Sequence, residues 1–182
     1  MKTRKVIGVE TTKLSMQGIQ KEFSGVKALD GVNFELQPGE VHALLGINGA
    51  GKSTLIKILS GVYQKDAGSI ELDGKSIDIN STQDALNNGI ATVYQDPQMI
   101  PSFTGYENIY LGAETEKKGL FPRINKRLLR KKAEALLERF PVKIDLNRTV
   151  SELSAVEKEI IAVLRALSKE MTILILDEPT SI

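Results

Sequence analysis

Apolar and polar residues alternate along the first part of the chain in the pattern of half-buried strands. The alternation covers Ser15–Phe23 and Val32–Leu36, which predicts two antiparallel strands. The stretch Gly68–Ile77 predicts a hairpin with Asp73-Gly74 in its turn. An antiparallel β region is therefore expected near the N-terminus.

In the rest of the chain, continuous apolar runs alternate with segments that have the apolar spacing of helices. Apolar runs typical of central strands are Val41–Gly46, Ile90–Gln95 and Thr172–Leu176. Segments with helical spacing are Lys52–Gly61, Ser81–Gly89, Asn125–Phe140 and Ala155–Leu167. This alternation, with a helical stretch in the middle, predicts an α/β fold.

A glycine-rich loop joins the first central strand to the first helix. Its sequence from Gly46 to Thr54, GINGAGKST, matches the phosphate-loop pattern G-x-x-x-x-G-K-[ST]. Glycines let backbone N–H groups surround phosphate oxygens; Lys52 reaches the β/γ-phosphates and Ser53 binds Mg²⁺. An ordinary glycine-rich turn is the alternative. The predicted nucleotide-binding residues of the loop are Gly46, Asn48, Gly49, Ala50, Gly51, Lys52, Ser53 and Thr54.

Two acids follow the last apolar strand. A phosphoryl-transfer site needs a carboxylate for Mg²⁺ and a group that orients the attacking water. Asp177 fits the first role and Glu178 the second. A strand that ends in exposed acids is the alternative, and the upstream phosphate loop favours the catalytic interpretation.

Composition narrows the function classes. The chain has 182 residues, a net charge of +1, no cysteine and a single histidine, His42. Thiolate metal sites are excluded, and a histidine-based zinc site or Ser-His triad nearly so. The charge gives no general reason to expect nucleic-acid binding, and no run approaches the ~20 apolar residues of a membrane span.

These motifs together resemble the ATPase subunits of ABC transporters. The similarity extends from Met16 to Ile182 and includes GINGAGKSTL, VYQDP at Val93–Pro97, ILILDEPTS, and VSELSAVEKEIIAVLRAL where the LSGGQ signature belongs. The sequences GIQKEFSGVKALDGVNFEL and YENIYLGAE resemble those of the family branch that imports simple sugars. The resemblance implies a P-loop nucleoside triphosphatase core with an N-terminal antiparallel β region and an inserted helical subdomain.

The same resemblance implies an organisation. Residues 1–182 are expected to form one incomplete ATP-binding domain, with a nucleotide-binding core and β region at 14–95, a helical subdomain at 96–153, and the signature helix with the Walker B strand at 154–182. The chain resembles a C-terminally truncated first ATPase half. We therefore expect it to bind ATP with weak or no hydrolysis.

Further residue roles come from the family's pattern. Phe23 would stack on adenine, although it could be a core residue that closes a strand. Gln95 would contact Mg²⁺ and the attacking water, or be an ordinary polar loop residue. Ser154 would face the γ-phosphate held by a partner subunit, serve as a helix N-cap, or do both. Glu178, Gln95 and Lys52 are the expected catalytic residues, and Ser53, Gln95 and Asp177 the metal ligands.

ATP and Mg²⁺ are the implied cofactors. The implied partners are membrane permease subunits, a second ATPase domain in a homo- or tandem dimer, and indirectly an extracytoplasmic solute-binding protein, with no nucleic acid. The expected location is cytoplasmic, peripheral on the inner face of the membrane. The alternatives are a soluble ATPase that acts on nucleic acid or the ribosome, and a nucleotide-binding regulatory module without turnover.

Three departures from the family and one charge run qualify this picture. Ile47 replaces an acidic residue of the loop, at a position where little consequence is expected. The signature reads Leu-Ser followed by Ala155-Val156-Glu157, which puts Ser154 in doubt as a phosphate ligand because close phosphate approach favours glycine. No switch histidine is present, since His42 precedes the loop.

The basic run Lys117–Lys132 has two interpretations. It could contact a membrane subunit or anionic lipid, or it could be a solvated helix face, which is the favoured interpretation.

Overall fold

The computed structural model describes residues 13–47, 49–94, 97–112, 124–169 and 171–177. Its strands are β1 (Leu14–Phe23), β2 (Val26–Leu36), β3 (Ala67–Leu72), β4 (Lys75–Ser76), β5 (Ile90–Val93) and β6 (Ile173–Leu176). Its helices are α1 (Lys52–Leu59), α2 (Thr82–Asn87), α3 (Gly105–Ile109), α4 (Lys126–Leu137) and α5 (Ala155–Leu167), with a 3₁₀ turn at Val150–Glu152. The predicted α/β class is confirmed.

Contacts between residues divide the chain into two compact units, Met1–Ala85 and Leu86–Ile182. The three segments expected from the sequence, 14–95, 96–153 and 154–182, stay a prediction.

The first unit is built on an antiparallel sheet with the strand order β2-β1-β3-β4. β1 pairs on both edges, so that Leu14 lies opposite Leu36 on one side and Leu72 on the other. Met16 and Ile19 of β1 are fully buried beside Leu14. The predicted hairpin is confirmed, with Asp73-Gly74 between β3 and β4.

Strand β2 is longer than its hydrophobic alternation predicts. It begins at Val26, which pairs with Phe23 across a two-residue turn, rather than at Val32. Asp30 and Gly31 interrupt the apolar pattern and stand at a register shift, but the backbone pairing with β1 is present on both sides of them. Backbone hydrogen bonds of an antiparallel pair do not depend on side-chain polarity, so the alternation underestimates the strand.

The prediction of a central strand at Val41–Gly46 is wrong for this structure. The segment has no regular secondary structure, and Val41 is 99% and Leu45 89% exposed. An apolar run forms a strand only where a neighbouring backbone pairs with it. In the part of the chain that the structure describes, the two sheets consist of β2-β1-β3-β4 and β5-β6, and neither includes this segment.

Helices α1 and α2 agree with the sequence within one turn. Helix α1 buries Leu55, Ile58 and Leu59 on one face. Helix α2 follows Ser81, whose hydroxyl oxygen accepts a hydrogen bond of 3.1 Å from the N–H of Asp84. The predicted serine N-cap is therefore confirmed.

The second unit contains a parallel strand pair backed by a helix. β5 and β6 pair in register from Ile90 opposite Ile173 to Val93 opposite Leu176. Ala91 and Val93 pack with Ala162 and Ala166 of α5, and small residues let the helix lie close to the sheet. Both predicted strands are confirmed, although β5 ends at Val93.

The helices α3, α4 and α5 surround a separate apolar cluster in the second unit. Its buried members are Ile109, Ala133, Leu146, Val150, Leu153, Ile161 and Leu164. The predicted amphipathic helix within 125–140 and the predicted helix Ala155–Leu167 are both confirmed. Across the described ranges, no helix is long and apolar enough to cross a membrane.

A buried amide connects three segments of this unit. The Asn108 side chain, 0% exposed, accepts from the Ile100 N–H at 2.9 Å and donates to the carbonyls of Ile100, Phe103 and Thr104. Arg165 of α5 donates to the backbone carbonyl of Asn108 at 2.7 Å and to the backbone carbonyl of Gln98 at 2.8 Å. Burial lowers the pKa of the Arg165 guanidinium. Segment 98–104 is thereby fastened to both α3 and α5.

Candidate functional site

The lysine of the predicted phosphate loop folds back over the loop. Lys52 Nζ donates hydrogen bonds to the backbone carbonyls of Gly46 at 2.6 Å and Ile47 at 2.9 Å. The Ala50 N–H donates a hydrogen bond to the Ile47 carbonyl at 3.2 Å, which closes a turn in the loop. Two backbone carbonyls of the loop thus hold the ammonium group against it.

The loop ends in a position that only glycine fits. Gly51 has a φ of 84° and is the N-cap of α1. A Cβ placed there would lie 2.6 Å from Leu29 Cδ2 and 2.7 Å from the Ala28 carbonyl oxygen, both in β2. The loop therefore lies directly against the backbone of the sheet, which fixes where α1 begins.

Helix α1 directs free N–H groups toward the loop. Its first backbone hydrogen bond joins the Leu55 N–H to the Gly51 carbonyl at 2.9 Å, and the N–H groups before Leu55 have no partner within the helix. No side chain caps this end, and no acid lies in the first turn. The helix end can accept a phosphate group through these donors and its positive dipole.

The other loop residues are open to solvent. Gly49, Ala50 and Ser53 are exposed, whereas Thr54 is half-buried. The Ser53 hydroxyl can therefore reach a cation that accompanies a bound phosphate. Asn48 lies outside the described residues. Glycine backbone, a held ammonium and an exposed hydroxyl together fit a nucleoside triphosphate with Mg²⁺.

Phe23 ends β1 and is partly open, with 38% of its surface exposed. Its ring forms an edge-to-face pair with Tyr63, with 5.1 Å between the ring centroids. Lys21 Nζ lies 5.4 Å from the Phe23 centroid, over the ring. The exposure fits a stacking surface better than a residue that is enclosed in the core.

The acid end of β6 is described as far as Asp177. Its N–H donates to the Val93 carbonyl of β5 at 2.9 Å, so the backbone of Asp177 continues the parallel pairing. The side chain is half-buried at the carboxyl end of the strand, where open α/β sheets bind their ligands. Glu178 and Gln95 lie outside the described residues.

Ser154 is confirmed as the N-cap of α5 and is already engaged. Its hydroxyl donates to Glu157 Oε2 at 2.8 Å, and the Glu157 N–H donates back to the hydroxyl at 3.3 Å. The Ser154 N–H and hydroxyl lower the pKa of the Glu157 carboxyl, with a contribution from Arg148. A phosphate at this helix end would displace this capping box and meet the Glu157 charge.

The described part of the basic run has intramolecular partners. Lys126 pairs with Glu107 at 2.8 Å, and Arg130 pairs with Glu134 at 2.8 Å. Arg127 and Lys131 are exposed on the same helix. These contacts favour the solvated helix face; residues 113–123 lie outside the described residues.

The sequence reasoning missed two features of these sites. The pattern Ser154-x-x-Glu157 is a capping-box signature and could have been read directly. The partner of Phe23, Tyr63, gives no local signal because the two residues are brought together by the sheet and the loop after α1.

A protein-family model described as ABC transporter matches residues 29–181. The chain belongs to the ABC transporter family. The matched region contains the phosphate loop, the signature helix α5 and the β6 acids. It therefore covers most of the residues on which the sequence resemblance was based, but not the stretch before Leu29 that contains Phe23.

Curated relatives agree with this membership. The chain is 45% identical over 168 residues to the ribose import ATP-binding protein RbsA 1 of Rubrobacter xylanophilus, which covers 92% of this chain and 33% of that protein. It is 44% identical over 168 residues to the arabinose import ATP-binding protein AraG of Pectobacterium atrosepticum, with 92% and 32% covered. The chain thus spans about a third of the length of these relatives.

Solved structures of ABC ATPases share the fold. An ATP-binding cassette of an ABC transporter in its ADP conformation is 28% identical, with a TM-score of 0.79 over 93% of this chain and 70% of that one. CbiO1 of Clostridium perfringens, part of the ABC transporter complex cbiONQ, is 32% identical with a TM-score of 0.77 over 94% and 67%. The α/β fold expected from the resemblance is confirmed.

Proposed function

We propose that this chain is the nucleotide-binding part of an ABC importer ATPase, which couples ATP hydrolysis to uptake of a simple sugar. The observation that carries the nucleotide assignment is the Lys52 ammonium bound to the Gly46 and Ile47 carbonyls of a loop that leads into the uncapped start of α1. The names of the ribose and arabinose import relatives support the sugar assignment.

The chemistry proposed for the loop is electrostatic. Lys52 would exchange its carbonyl partners for β/γ-phosphate oxygens, which are stronger acceptors because they are charged. The N–H groups at the start of α1 would hold the same phosphates. Mg²⁺ would neutralise charge on the phosphates when bound.

The metal and catalytic roles are proposed residue by residue. Ser53 would offer its exposed hydroxyl to Mg²⁺ in the first unit. Asp177 would offer its carboxylate in the second unit, at the end of a parallel strand. Gln95 and Glu178 are proposed, from their positions in the sequence alone, to contact the metal and orient the attacking water.

The proposed partners follow from the import relatives. Permease subunits would receive the work of hydrolysis, a second ATPase domain would complete the pair, and a solute-binding protein would deliver the sugar. The protein would then lie on the inner face of the cell membrane through its permease. Ser154 is proposed to face the partner's γ-phosphate only after its capping box opens.

Uptake in the host cell tests the importer assignment. Cells that lack the gene should take up labelled ribose or arabinose more slowly, the unmodified gene should restore uptake, and a Lys52→Ala copy should not. Unchanged uptake of both sugars, together with binding of the protein to DNA or ribosomes, would instead support a soluble ATPase. Saturable ATP binding without phosphate release by the full-length protein with its permease would support a regulatory module.

Equilibrium binding tests the nucleotide site itself. Phe23→Ala should weaken Mg²⁺-ATP by about 1–2 kcal/mol through lost stacking, as aromatic side chains do for nucleic-acid bases. It should barely change the affinity for tripolyphosphate, which has no base. Equal losses for both ligands would make Phe23 a core residue rather than part of the site.

A further inference from the structure

The loop between α1 and β3 is fastened to the end of β1 that carries Phe23. The Asp66 carboxylate accepts hydrogen bonds from Lys21 Nζ at 2.6 Å and from the Glu22 N–H at 2.7 Å. The Asp66 N–H donates to the Gln20 carbonyl at 2.9 Å. The Lys21 ammonium and the Glu22 N–H lower the pKa of the Asp66 carboxyl, so the carboxylate stays charged at neutral pH and keeps both hydrogen bonds.

Tyr63 lies in this loop and contacts both α1 and Phe23. Its N–H donates to the Lys57 carbonyl at 3.0 Å, and Lys57 Nζ lies 5.3 Å from its ring centroid. Its ring meets the Phe23 ring edge to face, at 5.1 Å and an angle of 63° between the planes. Tyr63 is half-buried, and its ring is in contact with both Phe23 and Lys57.

The pairing of β1 with β2 makes a second connection between Phe23 and α1. Phe23 pairs with Val26 at the start of β2, and two residues later Ala28 presents the carbonyl against which Gly51 packs. The Phe23 ring and the phosphate loop are therefore both anchored to α1, one through Tyr63 and the other directly. Lys21 Nζ lies over the Phe23 ring, and Phe23 is still 38% exposed.

We propose that Tyr63 is a positioning residue for base recognition, which holds the Phe23 ring at a fixed place relative to α1 so that its exposed surface meets the purine of a nucleotide whose phosphates lie in the loop. This inference rests on the proposed nucleotide site. A ring that is already held loses less entropy when a base stacks on it. Tyr63 itself need not touch the nucleotide.

The test compares Mg²⁺-ATP with Mg²⁺-tripolyphosphate by calorimetry on the chain and its variants. Tyr63→Ala should weaken ATP roughly threefold to tenfold, the size of an edge-to-face aromatic contact. It should leave tripolyphosphate affinity unchanged, and Tyr63→Phe should restore ATP affinity. Phe34→Ala, which removes a ring from the Phe34–His42 pair of the same unit, is the matched control and should change neither ligand.

A double-mutant cycle separates positioning from general stability. In a Phe23→Ala background, Tyr63→Ala should weaken ATP no further, because the ring that it positions is gone. Tyr63→Leu keeps apolar bulk without a ring and serves if Tyr63→Ala fails to fold; it should show the same loss for ATP alone.

The outcomes also distinguish this inference from the proposed site. If Phe23→Ala weakens ATP alone and Tyr63→Ala or Tyr63→Leu does not, the positioning role is wrong and the site stands. Equal loss of both ligands in the Tyr63 variants gives Tyr63 a purely structural role. If Lys52→Ala keeps full ATP affinity, or Phe23→Ala changes both ligands equally, the site or its base-binding part is wrong, and the role of Tyr63 fails with it.

Discussion

Lys52 Nζ lies 2.6 Å from the backbone carbonyl oxygen of Gly46 and donates a hydrogen bond to it. The amine is thus occupied by neutral acceptors of its own loop, among them the Ile47 carbonyl at 2.9 Å. Charged phosphate oxygens accept more strongly than carbonyls, so a bound triphosphate can displace both. When a triphosphate binds, the Lys52 ammonium therefore needs only to exchange its carbonyl partners for phosphate oxygens.

Lys52→Ala should therefore abolish detectable Mg²⁺-ATP binding while the fold is kept. The variant removes the cation that faces the phosphates, whereas the two hydrogen bonds lost are exposed and contribute little to stability. Calorimetric titration measures the affinity, and circular dichroism checks the fold. Lys75→Ala, an exposed lysine of β4, is the control and should bind normally. Micromolar affinity in the Lys52 variant would show that the loop is not a phosphate site.

Two glycines of the loop should differ sharply in their tolerance of a methyl group. Gly49 has a φ of 83° and no atom within 4 Å of the place that a Cβ would take, so Gly49→Ala should cost about 1–2 kcal/mol of backbone strain. Gly51→Ala adds contacts at 2.6 Å and 2.7 Å with β2, which should raise the loss to about 2–5 kcal/mol. Urea unfolding followed by circular dichroism measures both. Equal losses would mean that α1 does not begin against β2 as described.

The capping box of α5 should make stability depend on pH in acid. The pKa of Glu157 is lowered in the folded protein, so its contribution is complete above the ordinary value of 4.5. It is lost as the pH falls through the lower, folded value. Glu157→Gln keeps the shape and can still reach the Ser154 N–H, but it does not titrate.

The stability of the unmodified chain should exceed that of Glu157→Gln at pH 7, and the difference should shrink as the pH falls from about 4.5 toward 3. Urea unfolding at a series of pH values measures it. Adding Ser154→Ala to both chains should remove only the hydroxyl's share of this pH dependence, because the Ser154 N–H, which is the larger cause of the lowered pKa of Glu157, is kept. A difference that is the same at pH 3 and pH 7 would contradict the charged capping box.

Asn108 should be much more sensitive to substitution than Asn147, an exposed polar side chain of the same unit. Asn108→Ala leaves the Ile100 N–H and the Arg165 side chain short of an acceptor in a buried place, which should cost roughly 2–4 kcal/mol. Asn147→Ala, whose side chain is exposed and bonds only Asp145, should change stability by less than about 0.5 kcal/mol. Thermal or urea unfolding compares the two; a similar loss in both would refute the special role of Asn108.

The local signals in the sequence predicted the features that depend on neighbouring residues. Helix α5 was bounded correctly because Ser154 can cap it and the apolar spacing continues to Leu167. The hairpin turn at Asp73-Gly74 was equally local, since these two residues adopt the positive φ that such turns need. The glycine-lysine loop was visible because its chemistry is concentrated in nine consecutive positions, Gly46–Thr54.

Features that depend on distant partners were not predictable in this way. The apolar run Val41–Gly46 has the composition of a central strand, but no described backbone pairs with it. The contact of Phe23 with Tyr63 joins positions that only the sheet and the loop after α1 bring together. Periodicity reports which residues prefer burial and leaves open which partner buries them.

The network around Asn108 also bears on the order in which the chain assembles. Arg165 reaches Asn108 across 57 positions of sequence and Gln98 across 67, so these bonds must close long loops before they stabilise anything. They should consequently form late in folding, after α3 and α5 have met. In the native state the Ile100 amide, which donates to the buried Asn108 oxygen, should exchange its hydrogen with solvent only when α3, α5 and the segment between residues 98 and 104 separate together. A single backbone amide would then report the cooperative opening of this whole part of the molecule.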